Sequence, residues 1–182
     1  MKMKFSLFKL SSSLLLLIFL LNSPILNARD LPDKEVKVTI AYLYNFIRYV
    51  DWPSETFKSK DSDLTICHHK LQERYLDALS EIEGKKKDSH RIITVKYSEK
   101  NDCQVLFTQS SLGEQTAVLN TLKDKNTLTI SNIEGFAKHQ GMIELTKSGK
   151  KIRFTVNKTA VIKSRLKVSS KLMRLATVVE DK

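Results

Sequence analysis

The chain has 182 residues and carries 31 basic against 20 acidic side chains, a formal net charge of +11. That length suits one domain, and no Pro-, Gly- or Ser-rich linker or internal repeat divides it. The positive balance implies a soluble basic surface or attraction to an anionic partner or lipid headgroups. No DNA-binding pattern or base-stacking motif is present, so nucleic acid is not an expected partner.

The first 28 residues read as a secretory signal peptide. Lys2, Lys4 and Lys9 form a basic start, Leu14 to Leu21 is an unbroken apolar run, and Leu26-Asn27-Ala28 offers a small residue at the cleavage point. The apolar run is shorter than the roughly 20 residues of a spanning helix, which argues against an uncleaved anchor. Cleavage after Ala28 leaves 154 residues, 28 basic and 20 acidic, at +8. The single domain is therefore expected over 29–182, and the expected location is the periplasm.

Val36, Ile40, Leu43, Ile47 and Val50 recur at spacings of four and three, the apolar stripe of a helix. Asp33 can cap its start and Trp52-Pro53 stops it. Tyr42, Phe46 and Tyr49 form an aromatic stripe beside the first. Such a helix is buried between layers, or packs on one side and binds on the other. Leu64 to His68 reads as a strand and Leu71 to Ile82 as a helix. Glu83 to Asp88, with Lys85-Lys86-Lys87, reads as a solvated loop. Arg91 to Tyr97 and Val105 to Thr108 are strands, Glu114 to Leu122 a modest helix, and Leu128 to Ile130 a short strand. Met142 to Thr146 and Ile152 to Val156 flank a turn with Gly149 and predict an antiparallel hairpin. Val168, Leu172, Leu175 and Val179 predict a closing amphipathic helix with a buried face. The alternation predicts a three-layer α/β domain, mostly parallel, with one antiparallel edge.

The cysteines are Cys67 and Cys103. An even count in an exported chain points to one disulfide, with two buried free thiols as the alternative. A loop of about 36 residues closed this way stabilises by roughly 4 kcal/mol in the chain-entropy picture.

No catalytic motif can be read. The chain lacks a dinucleotide-binding glycine pattern, a phosphate loop and a nucleophile elbow. His68 and His69 are adjacent on a strand and point to opposite faces, a poor metal pair, so no metal and no cofactor are expected. Ser169-Ser170-Lys171 has the wrong spacing for a Ser–Lys nucleophile and suits a helix cap. Asn157-Lys158-Thr159 fits a glycosylation sequon by letter, but an Asn after a strand also suits a cap. His68 stands where ligand clefts of open α/β sheets lie. Gly135, Phe136 and Gly141 bound a loop that either approaches a ligand or simply turns around a short helix.

Several stretches, taken in order, match one family pattern: Ala41-Tyr42-Leu43-Tyr44-Asn45-Phe46, Trp52-Pro53, the mid-chain cysteines, Gly135-Phe136-Ala137, Gly141-Met142-Ile143, Lys151-Ile152-Arg153-Phe154-Thr155-Val156-Asn157 and Leu166-Lys167-Val168-Ser169-Ser170-Lys171-Leu172. Together they resemble the YfiR family of small periplasmic regulators over essentially the whole chain after residue 34. The resemblance implies a Rossmann-like sheet, a cysteine bridge here and no enzymatic activity. It also implies a partner: the periplasmic sensor part of a membrane-bound diguanylate cyclase, which the protein would repress, with redox state or envelope stress releasing it. Cyclic di-GMP signalling and biofilm formation would be the output. The alternative is a periplasmic small-ligand binding or sensor protein acting on a histidine kinase or transporter. Tyr42, Phe46, Tyr49 and Trp52 are the expected interface, toward that partner or a second copy of the chain forming a homodimer.

Overall fold

The computed structural model describes residues 33–180 apart from residue 124. The expected signal peptide lies outside the described residues. Helix α1 (Lys34–Arg48) begins where Asp33 accepts a hydrogen bond from the Val36 N–H at 2.8 Å. Glu35 in its first turn and Arg48 in its last complement the helix dipole. Its buried residues are Val36, Thr39, Ile40, Leu43, Phe46 and Ile47. These are the expected apolar stripe widened by Thr39 and Phe46. Val50, expected as the last residue of that stripe, instead opens a two-residue strand, β1 (Val50–Asp51), and is still fully buried.

Six further strands and two helices build the body of the fold. They are β2 (Leu64–His69), α2 (Glu73–Leu79), β3 (Lys86–Lys87), β4 (His90–Lys96), β5 (Val105–Thr108), α3 (Leu112–Thr121), β6 (Leu128–Ser131) and β7 (Ile143–Ser148). The chain closes with β8 (Lys151–Asn157), α4 (Lys158–Lys163), β9 (Lys167–Val168), α5 (Ser170–Leu175) and β10 (Thr177–Val179). Eight strands form one sheet in the order β10-β8-β7-β6-β5-β2-β4-β3. Pairings β4/β2, β2/β5, β5/β6, β6/β7 and β8/β10 are parallel, while β3/β4 and β7/β8 are antiparallel. The expected mostly parallel α/β sheet with its hairpin is therefore present. β1 and β9 pair separately, Val50 opposite Val168.

Side-chain alternation sorts the central strands onto two unlike faces. Ile66, Val105, Phe107, Leu128 and Ile130 join a large core with α1, α2 and the C-terminal segments. Cys67 and Leu106 point the other way, into a small cluster with Cys103 and Leu122, flanked by Val95, Tyr97 and Val118. Cys67 and Cys103 are disulfide-bonded, their Cα atoms 5.6 Å apart. The bridge ties β2 to the segment entering β5 and is buried.

Four elements differ from the sequence reading. The closing helix stops at Leu175, and Ala176 turns extended. Thr177-Val178-Val179, β-branched throughout, then pairs with the free edge of β8 as β10. Leu172 is buried as expected, but Leu175 is 76 % exposed and Val168 is half-buried in β9. Lys86-Lys87, expected as solvated loop, pairs with β4. Helix α3 starts two residues early because Ser111 and Glu114 form a reciprocal capping box. Asn157 caps α4, a helix not among the expected elements, accepting from the Ala160 N–H at 2.9 Å in line with the cap reading of that residue. Ser169 caps α5 through the Lys171 N–H at 3.3 Å, as its spacing suggested.

Two outcomes test this packing. Leu172→Ala is expected to cost about 2–5 kcal/mol in chemical denaturation, and Leu175→Ala less than about 0.5 kcal/mol. Equal costs would contradict the chain reversal at Ala176. Thiol labelling of the denatured, unreduced domain is expected to find no free thiol, and reduction to lower the melting temperature. Two reactive thiols would contradict the bridge.

Candidate functional site

The strand order places the topological switch point between β2 and β5. The chain leaves β2 toward β4 on one side and then crosses to β5 on the other, so a crevice is expected at their C-terminal ends. His68 and His69 end β2, Thr108 ends β5 and Ser131 ends β6. His69 Nδ1 lies 3.1 Å from Thr108 Oγ1, which lies 3.0 Å from Ser110 Oγ. Ser131 Oγ donates to the Thr108 carbonyl at 2.8 Å and receives Gln115 Nε2 at 3.2 Å. Thr108, Ser110, Gln115 and Ser131 are all buried. The hydroxyls are therefore engaged beneath α3, with each other, the Thr108 carbonyl and the Gln115 amide, rather than facing a substrate. They latch the start of α3 onto the sheet.

Beside this latch, Gln109 Nε2 donates to Asn132 Oδ1 at 3.0 Å, and Asn132 Nδ2 donates to the Tyr75 hydroxyl at 2.9 Å. Lys70 pairs with Glu114 at the α3 start. Hydrogen bonds from Lys70 and then Ser111 hold the Glu114 carboxyl below its usual value. His68 and His69 do face opposite sides: His69 meets the Tyr97 ring edge-on at 5.6 Å, on the disulfide face. Burial, with Lys96 adding, pushes the His68 imidazole down. Burial, then Lys70, does the same for His69 against a smaller opposing effect of Glu114.

The loop expected to approach a ligand is pinned from within. Gly135 is left-handed, with φ +88°, and its carbonyl lies 2.8 Å from His139 Nδ1. Phe136 is fully buried, and a Cβ on Gly141 would fall 2.3 Å from its ring. Phe136 and Gly141 thus fill each other's space, and Phe136–Lys138 forms the short helix of the turn reading of this loop. Glu144 accepts from the Ala137 N–H at 2.9 Å, and Asn157 Nδ2 donates to the Ala137 carbonyl at 2.8 Å. His68 stands two strands away from this loop, on β2 rather than β6, so the expected cleft residues are not brought together.

The aromatic stripe of α1 also divides. Phe46 is fully buried, edge-on to Phe154 at 5.1 Å, because α1 lies across β8. Its ring is unavailable as an interface residue, which corrects that expectation. Tyr42 is half-buried and its hydroxyl donates to the Ile152 carbonyl at 3.3 Å. Tyr49 is 39 % exposed. Trp52 is half-buried, and its Nε1 donates to the Gln104 carbonyl at 3.2 Å, at the N-terminal edge of the sheet.

Trp52 lines a hollow of about 390 Å³ together with Phe57, His90, Asp51 and Lys87. The Phe57 and His90 rings stack at 3.7 Å, and His90 Nδ1 lies 2.7 Å from the Ser62 carbonyl. Lys87, only 13 % exposed along its side chain, reaches Asp88 at 3.0 Å and Asp51 at 3.2 Å. Burial works against the Lys87 charge, but hydrogen bonds from Asp88 and Asp51 outweigh it and raise the amine above its ordinary value. Phe57 and His90 carried no periodic signal. They meet because β4 starts beside the turn after Pro53. Among the described residues no group of three His, Cys, Asp or Glu could hold a metal ion.

The two depressed imidazoles set a pH dependence. A folded value below the unfolded 6.5 favours the neutral ring, so this stabilisation is present above about pH 6.5 and is lost as pH falls below it. Melting temperature should therefore drop between about pH 7 and pH 5, and the drop should shrink in His69→Gln, whose amide can still meet Thr108. An unchanged slope in that variant would remove His69 from the explanation.

No curated protein matches the chain as a relative. The model of one family, described as YfiR/HmsC-like, matches residues 36–177, from the first buried residue of α1 to the start of β10. The matched span covers seven of the eight strands of the main sheet in full, the first residue of β10, and the disulfide. This chain belongs to the YfiR/HmsC-like family, whose members regulate diguanylate cyclases and are generally not enzymes.

Proposed function

We propose that this protein is an exported periplasmic regulator that binds the sensor part of a membrane-bound diguanylate cyclase and holds its activity down. Family membership over residues 36–177 is the observation that carries this reading. A buried disulfide suits an oxidising compartment, which supports export. The latch of mutually bonded hydroxyls offers no accessible nucleophile, which supports a binding rather than a chemical role.

The docking end is the C-terminus of α1 and the turn after it. Tyr49 projects into solvent there, Trp52 borders the hollow, and Phe57 and His90 form its aromatic wall. Aromatic groups presented on a rigid helix end bury large areas at little entropic cost. Reduction of Cys67–Cys103 would loosen the face that α3 covers and so release the cyclase.

Deleting the gene is expected to raise cyclic di-GMP and biofilm formation in the host, with the wild-type chain restoring both. Tyr49→Ala and Phe57→Ala in one chain should still be exported and melt within a few degrees of wild type, yet fail to restore repression. Unchanged cyclic di-GMP on deletion would overturn the regulatory reading. Full repression by the double variant would overturn this docking end alone.

A further inference from the structure

We propose that the cleft between α3 and α4 is a binding site for a phosphate-bearing ligand. This cleft, of about 520 Å³, lies on the sheet face that α3 only partly covers. Its floor is Thr127, Thr129 and Met142, and its apolar wall is Leu119 and Leu122 at the end of α3. Four lysines ring it: Lys123 and Lys125 after α3, Lys138 in the pinned loop, and Lys163 in α4. A recess of about 230 Å³ adjoins it, shares three of those lysines and adds Arg165.

Among the described residues no carboxylate lines either opening; Asp124, between two of the lysines, is not among them. Arg165 reaches Glu55 only at 3.8 Å, and Lys125 donates to the Glu99 carbonyl at 3.4 Å. Elsewhere on the surface lysines sit against carboxylates, as Lys58 does at Asp102 and Lys158 at Glu180. Like charges converging on one concavity repel one another, and a bound polyanion relieves that repulsion.

The chemistry of the lining narrows the ligand. Lysine ammonium groups serve phosphate as point charges from several directions and do not require the planar fork that arginine offers a carboxylate. Thr129 Oγ1 accepts from the Met142 N–H at 3.1 Å and keeps its own proton to donate into the cleft. The wall of Leu119 and Leu122 suits an apolar or ring portion beside the charged one. Four cations suit more than one phosphate. The loop Gly135–Gly141, filled internally by Phe136, reaches this cleft through Lys138 and Gln140. Its pinning fixes the backbone from which Lys138 extends.

Two sources carry this chemistry, a free phosphorylated molecule and an anionic lipid headgroup. The probes are inorganic pyrophosphate by calorimetry, and vesicles of phosphatidylglycerol against phosphatidylcholine by cosedimentation, both with the mature domain. Pyrophosphate binding that weakens with added salt, and that falls about tenfold or more in Lys138→Gln/Lys163→Gln, supports a soluble ligand. Binding to phosphatidylglycerol vesicles alone, lost in the same variant, supports the headgroup. Lys34→Gln/Lys150→Gln, at a different part of the surface, should bind as wild type. Absence of binding to both probes, or binding unaffected by the cleft variant, overturns the site. Each variant changes only exposed side chains, so its melting temperature should match the wild type. Cyclase repression does not enter any readout, so the result stands apart from the regulatory reading.

Discussion

The central parallel strands β2 and β5 must be covered on both faces, because β5 is buried throughout and Leu64, Ile66 and Cys67 of β2 are buried on alternating sides. The chain meets that constraint unequally. One face receives α1, α2 and the C-terminal segments and holds most of the core. The other receives α3, a helix whose buried residues are Gln115 and Leu119. The disulfide supplies what α3 cannot, filling the space over β2 and tying it to the chain that enters β5. Without it this face would rest on a few contacts from Leu106, Val118 and Leu122.

That asymmetry organises the polar groups as well. Where α3 starts, its first turn is anchored by the hydroxyl network around Thr108, by the capping box and by Lys70 against Glu114. Where α3 ends, nothing comparable covers β6, and the sheet opens into the lysine-ringed cleft. The two ends of one helix thus have opposite character: one closed by internal hydrogen bonds, the other open and basic. The regulator's aromatic end lies elsewhere, at the N-terminal edge of the sheet around Trp52. The end proposed for docking and the cleft proposed for an anion share no lining residue.

Local pattern made much of the scaffold legible. The apolar period of α1, the β-branched runs of β4 and β8, the Gly149 turn and the cap residues Asp33 and Ser169 are all short-range features. Each is decided by neighbours within about four residues. The Ser111-x-x-Glu114 spacing was equally local, and it marks the true start of α3. The pairing of Cys67 with Cys103 followed from there being two cysteines and from the family resemblance. Composition and motif order carried family membership, since several ordered fragments were needed and none alone was specific.

What the sequence by itself determined, then, was most of the longer elements, the mostly parallel sheet with its hairpin, and the family. Tertiary structure alone decided which side of each element is covered. Phe46 and Tyr49 belong to one stripe by periodicity, yet β8 buries the first and leaves the second in water. Leu172 and Leu175 share a helical spacing, but the helix ends at Leu175, the chain leaves into β10 from Ala176, and only Leu172 is covered. Gly135, Phe136 and Gly141 allowed either a ligand-facing loop or a turn around a short helix, and packing decides it: the ring occupies the space the glycine leaves. Phe57 with His90, and the lysines at 123, 138 and 163, converge from segments distant in the chain. Periodicity reports on one element at a time, whereas burial and charge convergence are properties of several elements packed together.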